Sequence, residues 1–385
     1  MADGPPPAGR RLAVVSLHAH RPLAPRGERT RHLVDRLSRE WEVELIAPPP
    51  SVRTGGAAGS GGSSGARRFA AAVVGSVLLD KWEPWSARRL ARRRPGADAA
   101  LLIGHPFSPL VYAARRLARA GVPYVVDSGD PWALTDPEPG SRGLSLWRAR
   151  RAEWALWERA AGGVLTTPQQ AERLRELFPG LPTLVRPNGY DSPAEPPPPP
   201  AGRARPEQLR IAHFGMLSSR RLDLRPLLHA LSGSGLWERV VLAQFGDDFA
   251  GLLDGLEVEV ERHPAYPWPE VVQRAADYDL ALVVGNVNPG QLPSKAVQYL
   301  TLPAPRLALT EGSAGDALAA YVADKPGWLA LTPGEPDAAQ RVAAHLARGW
   351  TAEELSPPAA EAWPAVAGTI ARFVGERVTD AGAGG

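Results

Sequence analysis

Short apolar runs alternate with helix-spaced segments along the whole chain, and each run ends in a small polar cluster. Residues 12–17 (LAVVSL) are apolar and 18–28 (HAHRPLAPRGE) are polar and proline-containing. Residues 28–40 then carry Leu33 and Leu37, with Trp41 just beyond, at helical spacing, and 43–47 restart an apolar run. Strand, loop, helix, strand is the opening unit of a parallel sheet. The same pattern predicts strands at 99–103, 122–127, 162–167 and 183–187, with helices at 110–120, 147–159 and 168–178. After residue 207 the logic repeats. Strands are expected at 209–215, 239–246, 256–262, 279–284, 306–310 and 327–332, with helices at 223–231, 269–276, 314–322 and over the C-terminal residues. Continuous apolar runs such as 279–284 (DLALVV) belong to strands buried on both faces.

The fold class expected is therefore α/β: two doubly wound, Rossmann-like domains facing across a cleft, with the ligand site at the strand carboxyl ends. The first domain spans 1–192 and the second 207–355. Between them, 193–206 (PAEPPPPPAGRARP) reads as an extended linker. Residues 356–385 form a tail helix expected to cross back to the first domain. Within the first domain, 49–66 (PPSVRTGGAAGSGGSSGA) is a low-complexity insertion expected to be mobile.

Composition narrows the function. The chain has 385 residues, a formal net charge of +3 and no cysteine, so disulfides and thiolate chemistry are excluded. The charge is uneven: residues 1–192 carry 28 Lys+Arg against 18 Asp+Glu, and 193–385 carry 16 against 23. A basic half suits phosphorylated ligands, anionic membrane or nucleic acid. No zinc module, stacking platform or helix-turn-helix accompanies it, which argues against nucleic acid. The N-terminal MADGPPPAGRR lacks the apolar core of a signal peptide, and no apolar run has the length of a membrane span. A cytoplasmic location is expected, with peripheral contact at the inner membrane face as the second option. Residues 66–94, rich in arginine and carrying Trp82 and Trp85, suit either a peripheral membrane helix or ordinary helices covering the sheet; the second is the plainer reading.

Residues 285–310 draw the candidate chemistry together. Pro293 fits the first turn of a helix, so the backbone donors of Ser294, Lys295 and Ala296 are expected to point at whatever lies above the preceding strand. Lys295 is one of only three lysines, and a cation there opposes the helix dipole unless an anion neutralises both. On spacing alone an anion site and a solvated surface lysine weigh evenly. Gly215 ends the first strand of the second half, with Arg220 and Arg221 in the loop after it. In the first half, Gly27 precedes a helix, and His105 (GHPF) and Asp130 (DSGDPW) follow strands at the same sheet edge. Each of these is also an ordinary turn, cap or packing residue when taken alone.

RPNGYD (186–191), Gly215 with basic residues soon after it, and LPSKAVQYL (292–300) together resemble retaining nucleotide-sugar glycosyltransferases of the GT-B fold, the group often labelled family 4. The resemblance covers nearly the whole chain. It implies transfer of a sugar from a nucleotide-diphosphate donor to an acceptor hydroxyl, with no cofactor and no metal, in natural-product or cell-envelope glycoside synthesis. The acceptor it implies is a small molecule or a lipid-linked one. By position it assigns the donor to Gly27, Gly215, Arg220, Arg221, Tyr266, Pro293, Ser294, Lys295 and Gln298, and sugar or acceptor contacts to Asp130 and His105. The sequence departs from the family where two glutamates are usual: Gly290 and Gln298 stand there, and Met216 replaces a common basic residue. Those departures keep two alternatives open, an epimerase or hydrolase acting on nucleotide sugars and a non-catalytic subunit that binds them.

Overall fold

The structure is a computed structural model that describes residues 10–20, 25–47, 96–104, 107–130, 132–134, 143–191 and 207–383. The insertion at 49–66, the arginine-rich 66–94, the linker at 193–206 and His105 lie outside the described residues. Contacts divide the chain into two units, Met1–Asn188 with Pro364–Gly385, and Gly189–Trp363.

The first unit is built on β1 (Arg11–Ser16), β2 (Glu42–Ile46), β3 (Ala99–Ile103), β4 (Tyr124–Ser128), β5 (Gly162–Leu165) and β6 (Thr183–Val185). They form one parallel sheet in the order β2-β1-β3-β4-β5-β6. β3 and β4 are buried along their whole length: β3 is apolar throughout, whereas β4 (YVVDS) buries Asp127 and Ser128 at its carboxyl end. One face packs against α2 (Phe107–Arg119) and α3 (Gly143–Trp157) through Leu110, Ala114, Leu117, Leu156 and Trp157. Helix α4 (Pro168–Leu177) starts where Thr167 accepts the Gln170 N–H and Pro168 needs no backbone partner.

Helix α1 (Pro25–Leu37) corrects the expected span of 28–40. Pro25 begins the helix, so Gly27 lies inside its first turn, buried, instead of in the loop before it.

The second unit contains β7 (Gln208–Phe214), β8 (Arg239–Phe245), β9 (Glu259–His263), β10 (Leu280–Val284), β11 (Arg306–Leu309) and β12 (Trp328–Leu331). Their order is β12-β11-β10-β7-β8-β9, all parallel. The first strand of this unit thus lies centrally, and the chain winds outward from it in both directions. Ligands in such sheets bind at the carboxyl ends of the two strands flanking the reversal, here β7 and β10.

Helices α5 (Arg225–Ser232), α6 (Trp268–Ala275) and α7 (Ser294–Gln298) connect these strands. Gly189 shows why NGY closes the first unit: a Cβ there would lie 2.8 Å from the Trp363 backbone, while the Trp363 N–H donates to Tyr190 O and the Tyr190 N–H donates to Glu361 O. The last helix, Trp363–Ala383, belongs from Pro364 onward to the first unit, where Phe373 and Arg377 pack close to Gly162. Among the described residues no helix is long and apolar enough to cross a membrane.

Candidate functional site

In the second unit, β7 and β10 pair only at Leu280–Ile211 and Ala281–Ala212, and then separate toward their carboxyl ends. Tyr299 occupies the opening. Its hydroxyl accepts the Phe214 N–H at 2.7 Å and donates to the Leu282 carbonyl at 3.0 Å, so it replaces the ladder bonds the strands no longer make. Burial raises the phenol pKa well above its ordinary value, which keeps this donor protonated.

Two loops rise from this opening. The loop after β7 is tied to the one after β10 by Leu222 N–H to Gly285 O (3.0 Å) and Val287 N–H to Arg220 O (2.8 Å). Gly285 is required there, because a Cβ would meet the Leu309 carbonyl at 2.6 Å. Arg221 turns inward, half-buried, and its Nη1 donates to Val284 O (3.2 Å) and Asn286 Oδ1 (2.7 Å). Arg220 is exposed. Asn286 in turn donates to Gln291 O, and Asn288 accepts the Gly290 N–H, so the GNVNPG loop braces itself. Met216 is largely exposed at the rim.

Lys295 places its Nζ 4.6 Å from the centre of the Trp268 ring, a cation–π arrangement. Trp268 is held by its indole N–H on Thr301 Oγ1 at 3.0 Å. One expectation is corrected here. The Ala296 N–H donates to Pro293 O at 2.9 Å and does not face the opening. Helix α7 has only five residues before it tightens into the 3₁₀ turn Tyr299–Thr301, so its dipole is small and the side-chain cations carry the positive potential. Buried Pro293 precedes α7 as its N-cap, and Ser294 and Gln298 stand half-buried at its two ends.

Arg306 fixes the far end of this segment. Fully buried, it donates to the carbonyls of Tyr299, Leu300, Leu302 and Leu355 at 2.7–2.8 Å. Burial lowers its pKa to about 9. A cation against the last carbonyls of a helix is the favourable polarity.

Beneath the two loops lies His213, buried near the carboxyl end of β7. The Gln244 amide donates to Gly215 O (2.7 Å) and Gly246 O (3.0 Å), which turns its oxygen toward His213 Nδ1 at 2.8 Å. Nδ1 therefore carries the proton and Nε2 is the acceptor. Burial is the main cause that lowers the imidazole pKa to about 4; the hydrogen bond to Gln244 opposes it, and the charges of Arg221 and Lys295 add to it. Cations from two separate loops thus act on one buried neutral ring. On the β9 side, His263 stacks on Phe245 (4.5 Å, 13°), and Tyr266 lies under the Arg274 guanidinium at 4.0 Å.

In the first unit, Asp130 is half-buried and forms an ion pair with Arg26, the residue before Gly27. Its backbone carbonyl accepts from Ser128 Oγ. A second pair, Arg29 with Asp127, is sealed inside, and Arg29 also donates to Arg186 O, Pro187 O and Asn188 Oδ1. The RPNG stretch is thereby fastened to α1.

Residues 27–189 match the glycosyl transferase 4-like domain. Sucrose-phosphate synthase from Thermosynechococcus elongatus matches in structure with a TM-score of 0.61 at 15% identity, covering 96% of this chain and 99% of that one. Anabaena HepE, solved in complex with UDP-glucose, matches with a TM-score of 0.53 at 16% identity, covering 97% and 98%. These likenesses establish the two-domain GT-B fold of glycosyltransferases. No curated protein sequence matches the chain.

The first unit also holds a buried carboxyl with a displaced pKa. Glu153 of α3 is buried, and accepts the Leu134 N–H and, more weakly, the Trp157 indole N–H. Burial raises its pKa from 4.5 to about 7 against those two hydrogen bonds. At low pH folded and unfolded chains both hold the proton. As pH rises from about 4.5 to about 7 the unfolded carboxyl releases it while the folded one retains it, so stability is lost across that window. Glu153→Gln is expected to remove the loss, which is on the order of 3 kcal/mol. Urea unfolding at about pH 4 and about pH 8, on either side of that window, checks this. Equal pH dependence in variant and wild type would refute it.

Glu153 has no sequence signal, since it is one of two glutamates in the arginine-rich helix expected at 147–159 and nothing in its spacing sets it apart from Glu158. Tyr299 and Arg306 had a partial one: Tyr299 sits in the quoted LPSKAVQYL, and an arginine opening the apolar run 306–310 is out of place in a buried strand.

Proposed function

We propose that this protein transfers a sugar, with retained anomeric configuration, from a nucleotide-diphosphate donor to an acceptor hydroxyl in the cytoplasm. The observation that carries the reading is the placing of two cations above His213, Arg221 in the loop after β7 and Lys295 in helix α7, which follows the loop tied to it. In such a reaction the bond from the sugar's anomeric carbon to the diphosphate oxygen breaks. Positive charge develops on the sugar and negative charge on the leaving diphosphate. Fixed cations aimed at the leaving group lower that barrier most. Arg221 is preorganised by its bonds to Val284 O and Asn286, and Lys295 by Trp268. The acceptor proton passes to the departing phosphate, and Asp130, held by Arg26, orients sugar or acceptor together with His105. No metal and no cofactor is invoked. Gln298 meets donor hydroxyls as a neutral partner where a carboxylate is usual, a weaker hydrogen bond. UDP-glucose in Anabaena HepE supports a nucleotide sugar as the donor class.

Thermal unfolding with UDP, GDP and dTDP tests the reading. One of the three is expected to stabilise the protein, by about 2.7 kcal/mol at a hundredfold excess over its Kd. Failure of all three overturns the donor site. Incubation of the nucleotide sugar without acceptor then separates the activities, since turnover at the full rate identifies a hydrolase or epimerase. Nucleotide binding without transfer across a panel of sugars and acceptors identifies a binding subunit, the reading that Gly290 and Gln298 favour.

A further inference from the structure

We propose that the outer face of α2 and α3 docks on an anionic lipid bilayer. Both helices pack side by side on the same face of the first sheet, so their outward faces lie on one side of the unit. On α3, Leu144, Trp147, Arg151 and Trp154 recur at i, i+3, i+7 and i+10, which is one stripe of a helix. All four are exposed: Leu144 by 65%, Trp147 by 55% and Trp154 by 43%. This stripe has the spacing of a core face and yet it faces out. On α2, Tyr112 is 53% exposed, and Arg115, Arg116 and Arg119 share its face at i+3, i+4 and i+7.

Charge selects the occupant. The two helices carry six arginines, and the single carboxylate between them, Glu153, is buried and turned inward to Leu134 and Trp157. A second copy of this face would meet like charge. Residues 66–94 carry eight Lys+Arg against two Asp+Glu, so that segment would be repelled as well. Indole rings prefer the headgroup level of a bilayer, and arginine can lay its stem along apolar surface while its guanidinium reaches phosphate. The Arg151 guanidinium, 5.6 Å from the centre of the Trp147 ring, shows that pairing already formed. The inner side of α3 also holds the loop that bears Asp130, through Glu153 on the Leu134 N–H and Arg150 on the Ala133 carbonyl. A bilayer against the outer stripe would therefore lie one helix away from that loop. The inference stands on this face alone and does not depend on the donor reading.

Co-sedimentation of the full chain with vesicles tests it. The wild type is expected to partition onto phosphatidylcholine vesicles containing about a third phosphatidylglycerol, and not onto phosphatidylcholine alone. Replacing Arg115, Arg116, Arg119 and Arg151 by glutamine leaves the apolar stripe intact and is expected to weaken binding on the order of 10³-fold, at about fivefold per arginine. Leu144→Ser with Trp147→Ser is expected to weaken it as well, with an unchanged unfolding midpoint. The proposal falls if the wild type binds neither vesicle or if the four-arginine variant binds as well as the wild type. It also falls if the wild type is a dimer in ultracentrifugation that the Leu144→Ser/Trp147→Ser variant dissociates, since the face would then be a protein interface.

Discussion

Lys295→Ala is expected to lower kcat/KM for sugar transfer by about 10²–10³-fold, the scale of removing one preorganised group that stabilises transition-state charge. The expectation rests on where the ammonium stands. It lies over the Trp268 ring, which is itself anchored to Thr301, on a segment whose ends are fixed by Tyr299 and Arg306. A side chain placed by three such supports loses little conformational freedom when a diphosphate arrives. Lys295 is half-exposed, so alanine opens no sealed cavity and the fold should survive. Steady-state kinetics and calorimetry with the nucleotide diphosphate measure the two parts separately, and both should fall. Lys295→Arg is expected to recover only part of the activity, because a planar guanidinium stacks on Trp268 in place of presenting a point charge. Unchanged nucleotide affinity in Lys295→Ala would remove this residue from the donor site.

Arg29→Met is expected to cost about 3–5 kcal/mol, since it leaves a buried carboxylate without its cation. Asp127 has no exposed surface, and Arg29 meets it through two hydrogen bonds of 2.7 and 2.9 Å. The same guanidinium satisfies the carbonyls of Arg186 and Pro187, so the RPNG stretch is expected to loosen with it. For a unit of this size the unfolding midpoint should drop on the order of 10 °C. Arg29→Met with Asp127→Leu should recover much of the loss, because the penalty lies in the unpaired charge more than in the missing attraction. Thermal and urea unfolding of the three variants measures this. A loss within about 0.5 kcal/mol for the single variant would show that this pair does not hold the fold together.

How legible these sites were in the sequence differs residue by residue. Lys295 stood out because lysine is rare in this chain and because Pro293 marks a helix start. Arg221 could not be told from Arg220, since both occupy one loop; the inward turn of Arg221 depends on Val284 and Asn286, more than sixty positions away. Asp130 was visible as a polar residue after a strand, but its partner Arg26 was hidden in a loop expected to precede the helix. Gly27 falls in a loop by composition, because Pro25 suits a turn as well as it suits a helix start; in the structure Pro25 is the first residue of α1. The Ala296 N–H was counted toward the opening, and the turn to Pro293 O takes it away.

The sequence alone determined the alternation of buried strands with helices, its restart after a proline-rich stretch, and the residue types gathered at 285–310. These are local properties, set by side-chain period and by the dihedral limits of proline and glycine. Only the tertiary structure decided which strands are neighbours, and with them every contact between distant residues. The separation of β7 from β10, the wedge of Tyr299 in the opening, the Arg29–Asp127 pair and the outward stripe of α3 all follow from strand order. Strand order leaves no local mark, because a strand buried on both faces has the same apolar sequence wherever it lies in a parallel sheet.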